Sequence, residues 1–433
     1  MLFKPRPKYL FLTCVLVIFG LLGVASLTLA QDDSWTPKTD MPTARLGLAT
    51  AVVNGKIYAI GGYGAANLPG LSTVEEYDPA TNTWTTKTDM PTGRRWLSAS
   101  AVDGKIYAIG GHVDVGEPAI STVEEYEPAT NRWTIKADMP TARLALATSA
   151  VNGKIYAIGG DTGSGGGLLA TVEAYDPATN TWTKKADMPT ARATLFTSAV
   201  DGKIYAIGGG TPGTEGLTTV EEYDPTTDIW TTKADMPKAR LFLTGSVVNG
   251  MVYAIGGHST EEGSYEVFRS TQEYNPVTDT WTTRAPMPSK RSGLSASAVT
   301  GKIYAFGGSQ TQVPQGIALT EEYTPPMATS VQEAPGEQNI PTEFVLHQNY
   351  PNPFNPETKI RYKIPKLNKV VLKVMNLLGQ EVRTLVDEEK PTGVYEVMWD
   401  GKDNHGQRVA TGVYLYKLET RGFVQTRKMV LLQ

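Results

Sequence analysis

The sequence predicts an all-β protein, in which six four-stranded sheets form a ring and a small β-sandwich follows them. Three observations predict this. The phrase KIYAIGG, or a close variant, occurs six times, and its glycine pairs begin 48 to 51 residues apart. Each repeat has four short β-prone runs separated by turn signals, and such a sheet can bury both faces only if neighbouring copies pack around an axis. After residue 342 a new pattern of strands and turns begins.

The N-terminal segment, residues 1–30, is predicted to be a signal peptide. A basic start (KPRPK) precedes an apolar run and a short segment ending at Ala30, which is the pattern of a cleaved secretory leader. Residues 10–29 are nearly long enough to span a bilayer, so an uncleaved anchor is the alternative. Because the only cysteine, Cys14, lies in this segment, the mature chain has no disulfide, thiolate nucleophile or cysteine metal ligand.

Residues 31–326 contain the six repeats, and the two ends of this region are complementary. A repeat reads MPTAR, a small-and-apolar run, usually an Asn-Gly or Asp-Gly turn, KIYAIGG, a variable stretch, VEEYDPATN and TWT. The region begins with the end of a repeat, around Trp35, and the sixth repeat stops after Tyr323 without its last strand. We therefore expect the N-terminal strand to complete the sixth sheet and close the ring without an exposed edge.

Within each repeat the glycine pair, a tyrosine and a tryptophan follow one another at nearly constant spacing, as in Gly61, Tyr77 and Trp84. This pattern resembles the Kelch repeat, and the resemblance covers residues 32–326. It implies a six-bladed β-propeller in which the first strand of each blade is innermost. Kelch propellers include protein-binding modules, sugar mutarotases and copper oxidases, so the fold alone does not name the function. The aromatic residues in register are predicted to be core: Trp35, Trp84, Trp133, Trp182, Trp230, Trp281, Tyr77, Tyr126, Tyr175, Tyr223, Tyr274 and Tyr323.

All the length variation among the repeats falls between the glycine pair and the tyrosine. This segment connects the second and third strands of a blade. Because loops alternate sides in an antiparallel sheet, it shares a face with the MPTAR connections, while the uniform Asn-Gly and DPATN turns lie on the opposite face. Variable loops on a rigid scaffold are where recognition usually occurs, so we predict a binding surface on the variable-loop face.

An arginine precedes the innermost strand of every blade, at Arg45, Arg94, Arg143, Arg192, Arg240 and Arg291. A ring of guanidinium groups around the channel mouth would suit a carboxylate, a sulfate or an acidic protein side chain. The alternative, favoured for most of the six, is that these arginines pair with glutamates of the repeat, such as Glu75, Glu124 and Glu221, and hold the blades together.

The other candidate ligand-binding residues are departures from the repeat. Trp96 is a propeller tryptophan that lies out of register, and with Arg95 it stands at the start of the innermost strand of blade two. Its ring could stack on a sugar or anchor a protein partner, or it could simply fill the channel mouth. The position after the glycine pair also changes between blades, which adds Tyr63, His112, Asp161 and His258.

Enzymatic functions find little support in the sequence. A copper oxidase of the galactose oxidase kind needs a cysteine-modified tyrosine and histidine ligands, whereas the propeller has no cysteine and only His112 and His258, in opposite blades. We therefore predict no catalytic residue, no metal and no cofactor. The alternative is a mutarotase resembling bacterial N-acetylneuraminate epimerase. With a formal net charge of −4, the chain has nothing that would attract nucleic acid.

Residues 327–342 have the composition of a linker, and residues 343–433 are predicted to form an Ig-like β-sandwich. The string NYPNPFNPETKIRYKIP, with LLGQEV, the Trp399-Asp400-Gly401 turn and the terminal KMVL, resembles the C-terminal sorting domain of type IX secretion cargo. The final Gln433 departs from that pattern, in which a basic residue is common. The resemblance implies contact with the type IX machinery and delivery to the cell surface or the medium.

Together these features predict an exported Kelch propeller that binds an unknown protein or glycan on its variable-loop face. No transmembrane segment is expected once the signal peptide is removed.

Overall fold

The computed structural model describes residues 33–66, 68–114, 116–163, 167–210, 216–260, 264–326, 343–349, 352, 354 and 356–431. The predicted signal peptide (1–30), with its Cys14, the predicted linker (327–342) and Gln433 lie outside the described residues. Every named element of the described residues is a β-strand, so the predicted all-β class is confirmed. Among these residues there is no helix with the length and apolar character to cross a membrane.

Six antiparallel sheets of four strands each form the blades. The innermost strands are β2 (Ala49–Val53), β6 (Ser98–Val102), β10 (Ala147–Val151), β14 (Phe196–Val200), β18 (Thr244–Val248) and β24 (Ser295–Val299). The second strands are β3 (Lys56–Ile60), β7 (Lys105–Ile109), β11 (Lys154–Ile158), β15 (Lys203–Ile207), β19 (Met251–Ile255) and β25 (Lys302–Phe306). The third strands are β4 (Val74–Asp78), β8 (Val123–Glu127), β12 (Val172–Asp176), β16 (Val220–Asp224), β22 (Thr271–Asn275) and β26 (Thr320–Thr324). The outermost strands are β5 (Thr83–Thr86), β9 (Arg132–Ile135), β13 (Thr181–Lys184), β17 (Ile229–Thr232), β23 (Thr280–Arg284) and β1 (Ser34–Pro37). A short hairpin, β20 (His258–Ser259) and β21 (Glu266–Val267), stands in the variable loop of blade five.

The innermost strands of neighbouring blades contact one another all the way around, including β2 with β24, so the six blades surround a central channel. Hairpin turns between the first and second strands use the residues such turns need. Asn54 and Gly55, for example, have φ values of 51° and 72°, which suits a type I′ turn.

The glycine pairs are required where one blade packs on the next. Gly61 has a φ of 62°, and a Cβ atom there would lie 2.5 Å from the backbone oxygen of Arg94 in blade two. The second glycine, Gly62, donates its N–H to the same oxygen at 2.9 Å. A side chain at Gly61 would therefore push two blades apart, and one at Gly62 would lie 2.8 Å from the Leu46 carbonyl oxygen of its own blade.

The register aromatics divide into two kinds. The six tyrosines are completely buried, as predicted, but the tryptophans are only half-buried. Tyr77 packs on Trp84 with ring centroids 5.0 Å apart, and the indole Nε1 of Trp84 donates to the carbonyl of Thr39 at 2.9 Å. Thr39 belongs to the connection that enters blade one, so each tryptophan clamps its blade to a neighbouring connection rather than filling the core.

The N-terminal strand β1 pairs with β26, with Trp35 opposite Tyr323. Asp33 accepts hydrogen bonds from the Tyr323 hydroxyl at 2.6 Å and from the N–H of Ala285 at 3.0 Å. Asn82 does the same in blade one, where it accepts from Tyr77 at 2.7 Å and from the N–H of Thr39 at 2.9 Å. Blade six thus has the contacts of a blade made from continuous chain, and the ring has no free edge at this point.

The C-terminal region is a separate β-sandwich of two sheets. One contains β27 (Val345–Leu346), β28 (Thr358–Ile364) and β31 (Gly393–Trp399), and the other contains β29 (Asn368–Met375), β30 (Glu381–Lys390), β32 (Gly412–Thr420) and β33 (Phe423–Leu431). Its core is built around Trp399, which is fully buried and packs on Phe354 and Tyr414 at 5.5 and 5.2 Å. The predicted Ig-like fold is confirmed.

Deletion of residues 31–37 tests closure of the ring. Without β1, the edge of β26 is open and Tyr323 loses both Trp35 and Asp33. We expect the propeller to lose at least about 3 kcal/mol of unfolding free energy, comparable with removal of a large buried aromatic side chain. Chemical denaturation of the purified protein measures this. Thr36→Ala, an exposed change in the same strand, is the control and should stay within about 0.5 kcal/mol. Equal stability of the deleted and intact proteins would contradict closure by β1.

Candidate functional site

The six register arginines lie inside the blades, with at most 1% of each residue exposed. Five form ion pairs with glutamates of the third strands: Arg45–Glu75 (2.6 Å), Arg94–Glu124 (2.8 Å), Arg143–Glu173 (2.5 Å), Arg192–Glu221 (2.5 Å) and Arg291–Glu321 (2.5 Å). The favoured alternative, pairing with a glutamate of the repeat, is thus what the structure shows for these five arginines. Their charges are neutralised within the blades, so they hold the blades together and form no guanidinium ring around the channel mouth.

Burial also acts on the acid–base properties of these groups. It lowers the pKa of the Arg94 guanidinium to about 10, and the Glu124 carboxylate opposes that shift. The guanidinium therefore remains charged at neutral pH, and it stabilises the blade through its ion pair with Glu124.

A ring of backbone hydrogen bonds joins the six blades at the variable-loop end of the channel. One residue from each blade donates its N–H to the carbonyl of its counterpart in the neighbouring blade at 2.8 to 3.1 Å. All six have φ between 51° and 65°: Gly47, Trp96, Ala145, Thr194, Phe242 and Gly293. Left-handed backbone is unusual for residues as bulky as tryptophan and phenylalanine, and such strain is typical of functional positions.

Trp96 and Phe242 come from blades two and five, which are opposite each other, and their ring centroids are 4.7 Å apart. They therefore meet across the channel axis and cover the channel at the variable-loop face. Gly47 and Gly293 leave room for the indole, since a Cβ atom on either would lie 3.1 or 3.2 Å from it. Trp96 is half-buried, so it fills the mouth while one part of its surface faces solvent.

Further aromatic groups extend this contact on both sides. Trp96 packs edge-on against Tyr63 at 5.6 Å, Phe242 stacks on His258 at 5.4 Å, and His258 packs on Tyr265 at 4.6 Å. We call Tyr63, Trp96, Phe242, His258 and Tyr265 the mouth cluster. Burial raises the pKa of Tyr63 to about 12, so its hydroxyl keeps its proton at neutral pH.

Arg95 and His112 flank the mouth cluster. The Arg95 guanidinium lies 4.4 Å from the centroid of the Tyr63 ring, and its Nε donates to Nε2 of His112 at 2.9 Å. Burial, followed by the positive charge of Arg95, lowers the pKa of His112. The imidazole is thus neutral at pH 7 and holds the guanidinium over the tyrosine.

His258 has a different partner. Its Nδ1 lies 2.7 Å from the hydroxyl of Ser292, and burial lowers its pKa to about 4. Among the described residues no carboxylate contacts its ring, so nothing there would stabilise an imidazolium. His258 is therefore a weak base with a fixed orientation.

The carboxylate of Asp161 accepts the N–H of Gly163 at 2.7 Å, so it stabilises its own loop. Asp161 does not belong to the mouth cluster. Of the sequence candidates, the structure brings together Tyr63, Arg95, Trp96, His112 and His258. It adds Phe242, Tyr265 and Ser292, which sequence reasoning missed. Comparing the repeats at the register of Trp96 would have found Phe242, since the other blades have glycine, alanine or threonine there.

The channel below the cluster has a volume of about 420 Å³ and is lined by small residues of the innermost strands. Its hydroxyl groups bond to one another between blades, as in Thr50 with Ser297 at 2.8 Å and Ser100 with Thr148 at 2.8 Å. The residues that line the channel are uncharged, and several of their hydroxyl groups pair with one another, whereas the buried Thr194 hydroxyl has no hydrogen-bond partner. The described residues contain no group of three or more potential metal ligands.

The described residues of three variable loops, numbered after their blades as loops one, two and six, bond to one another and form a rim beside the cluster. Loop one bonds to loop six through Ala66 N–H and the Pro314 carbonyl at 3.0 Å, and to loop two through Gly70 N–H and the Val113 carbonyl at 2.7 Å. These loops expose large apolar side chains: Leu68 (51%), Val113 (38%) and Val313 (72%). A rim of bonded loop segments with exposed apolar groups is typical of an interaction surface.

Comparisons with known proteins agree with this architecture. The Kelch motif matches residues 44–91, the KLHDC2/KLHL20/DRC7 Kelch-repeats domain matches residues 96–308, and the FlgD Ig-like domain matches residues 357–422. Among solved structures, the chain is similar to the structure of YjhT, with a TM-score of 0.56 and 18% identity over 66% of this chain and 96% of that chain. This likeness shows the fold alone. No curated protein matches the chain. The first domain is therefore a six-bladed Kelch-repeat β-propeller, and it is followed by an Ig-like domain.

Proposed function

We propose that this protein is an exported binding module that recognises a protein or a glycan through the variable-loop face of its propeller. The observation that carries this is the mouth cluster. A sixfold repeat favours the same small residue at every blade, yet Trp96 and Phe242 stand in strained backbone and meet across the axis.

The chemistry of the face suits such a ligand. Trp96 and Tyr265 are half-buried, so parts of their rings face solvent and can stack on sugar C–H groups or on apolar side chains. Beside them the rim offers apolar side chains, and partly exposed aromatic residues are the usual anchors of binding sites. The opposite face carries repeated Asn-Gly turns and has no comparable departure from the repeat.

Loss of the central aromatic residue should weaken binding. We expect Trp96→Ala to reduce affinity about tenfold or more, because truncation of an aromatic anchor commonly costs about 2 kcal/mol. A glycan array and a displayed peptide library, screened with the purified propeller, supply the ligands for the measurement. Asn152→Gly, in a turn on the opposite face, keeps a favourable turn and should leave affinity unchanged. Loss of binding in the Asn152 variant, with normal binding by Trp96→Ala, would show that the ligand binds to the face opposite to the variable loops.

We further infer that residues 343–433 direct secretion by the type IX pathway, after export by the signal peptide at residues 1–30. The resemblance of the NYPNPFNPETK string carries this, and the packing of that string supports it. Phe354 N–H donates to the carbonyl of Val430 at 3.0 Å, and Val430 N–H donates to the side chain of Asn352 at 2.8 Å. The string and the terminal KMVL segment thus form one unit, which a secretion receptor can read as a whole.

Deletion of residues 344–433 should leave a folded propeller in the periplasm. The two domains have separate cores, so the propeller does not need the sandwich for its own packing. Fractionation of cells, with immunodetection of the propeller in periplasm and medium, measures the distribution. The full-length Asn152→Gly variant is the control and should leave the periplasm normally. Normal amounts of the deleted protein outside the cell would rule out sorting by this domain.

The second candidate function is a sugar mutarotase. It is favoured by one observation, the neutral His258 held by Ser292 next to Tyr265, which places groups able to accept and donate protons at the mouth. Exchange NMR of the anomers of sialic and uronic acids, with and without the protein, separates the two functions. A catalysed exchange that is lost in His258→Gln would support the mutarotase over the binding module.

A further inference from the structure

The buried arginines belong to a larger repeated unit, and one blade departs from it. In blade one the hydroxyl of Thr43 donates to one oxygen of Glu75 at 2.7 Å, and Arg45 donates to the other oxygen at 2.6 Å. Blades two, three and four repeat this unit with Thr92, Thr141 and Thr190. One carboxylate is thus held between the arginine and the residue two positions before it.

Blade five keeps the arginine, Arg240, and changes both of its partners. Lys238 stands where the threonine would be, and Gln272 stands where the glutamate would be. The Gln272 side-chain oxygen accepts a hydrogen bond from Thr283 at 3.2 Å, on the neighbouring outer strand. Among the described residues, no carboxylate forms an ion pair with Arg240.

Arg240 is nevertheless as deeply buried as its counterparts, with 1% exposed. Its Nη1 donates to the carbonyls of Gly256 at 3.1 Å and Ser270 at 3.3 Å. Phe268 lies 5.3 Å from the guanidinium, and the Lys238 ammonium lies 4.6 Å from the same ring. Two cations therefore share one aromatic ring, and the neutral Gln272 stands at the position where other blades have a carboxylate.

These contacts do not replace the missing charge. A cation–π contact is weaker than the interaction that is lost when one partner of a buried ion pair is removed. Lys238 pairs with Glu266 at 2.8 Å, but both side chains are about half exposed, so solvent screens the pair. Burial also lowers the pKa of Arg240 to about 10 with no opposing carboxylate.

We propose that blade five binds the carboxylate group of a ligand between Arg240 and Lys238. In four other blades a carboxylate contacts the residues at these two positions, and in blade five the Lys238 and Arg240 cations both approach the Phe268 ring, so two positive charges able to hold such a group lie close together. The site lies on the variable-loop face, and Arg240 is two residues from Phe242 of the mouth cluster. An acidic sugar and the C-terminus of a peptide both present such a group. The identity of the molecule that carries the carboxylate rests on the proposed binding role. The carboxylate site itself does not.

Small anions test the site without knowledge of that molecule. The melting temperature of the full-length protein is measured in sodium acetate and, at equal ionic strength, in sodium chloride with acetamide, the neutral analogue of acetate. We expect acetate to raise it by about 1 to 3 °C relative to the control. Glucuronate and N-acetylglycine, used in the same way, distinguish a sugar acid from a peptide carboxylate by which gives the larger rise.

Gln272→Glu is the decisive variant, since it supplies the carboxylate within the chain. Without acetate it should melt several degrees higher than the wild type, and the acetate-specific rise should disappear. Glu124→Gln makes the reverse change in blade two and should lower the melting temperature by a similar amount. Lys238→Thr restores the residue that four other blades use, and it should keep the fold while reducing the acetate response.

A wild-type protein with no acetate-specific rise would overturn the site. An acetate-specific rise in the melting temperature of Gln272→Glu equal to that of the wild type would also overturn the site. If Gln272→Glu does not fold, an equal rise in Lys238→Thr would have the same meaning. The outcome is independent of the Trp96 comparison: loss of the acetate response leaves a binding face centred on Trp96 intact, and a normal affinity of Trp96→Ala leaves the carboxylate site intact.

Discussion

The propeller depends on the buried arginine of each repeat, because this residue connects two blades at once. The side chain of Arg94 enters its own blade and pairs with Glu124, while its backbone oxygen accepts the N–H of Gly62 in the preceding blade. The same oxygen lies too close to Gly61 to allow a Cβ atom there. Arginine, glutamate and glycine pair are thus one unit, and a change in any of them affects the contact between blades. This explains in physical terms why these residues recur in register.

Closure of the ring follows the same logic. A propeller with an open blade would expose the backbone edge of its last strand, which is a site for aggregation and fraying. Here β1 pairs with the edge of β26 and covers it, and Asp33 takes the place that Asn82 has in blade one. All six blades then have four strands in the same order, so the strand framework is uniform while the variable loops and the mouth cluster differ.

Much of this architecture could be predicted from the sequence, because a period near 49 residues and a missing strand are properties of the pattern itself. The direction of a side chain is not. Arg45 precedes an innermost strand, but the sequence does not say that its guanidinium turns into the blade towards Glu75 rather than towards the channel. Trp96 was found because tryptophan has its own register in this repeat. Phe242 was missed because a phenylalanine in the run LFLTG reads as ordinary core.

Departures from the repeat can be sorted by whether the structure compensates for them. Phe196, for example, is accommodated by Gly245, where a Cβ atom would lie 2.7 Å from the phenylalanine ring, so this pair is explained by packing. Trp96 is likewise accommodated by Gly47 and Gly293, and its left-handed backbone is the conformation that all six blades adopt in the ring of hydrogen bonds.

Arg240 differs from both cases. Its two partners have changed in the direction that removes negative charge and adds positive charge, while the guanidinium itself stays buried. A packing explanation would require either a smaller residue at position 240 or another carboxylate beside it, and the described residues provide neither. An uncompensated buried cation is costly to the free protein and favourable to a complex with an anion. Blade five is therefore the part of the propeller that an anionic ligand would stabilise most.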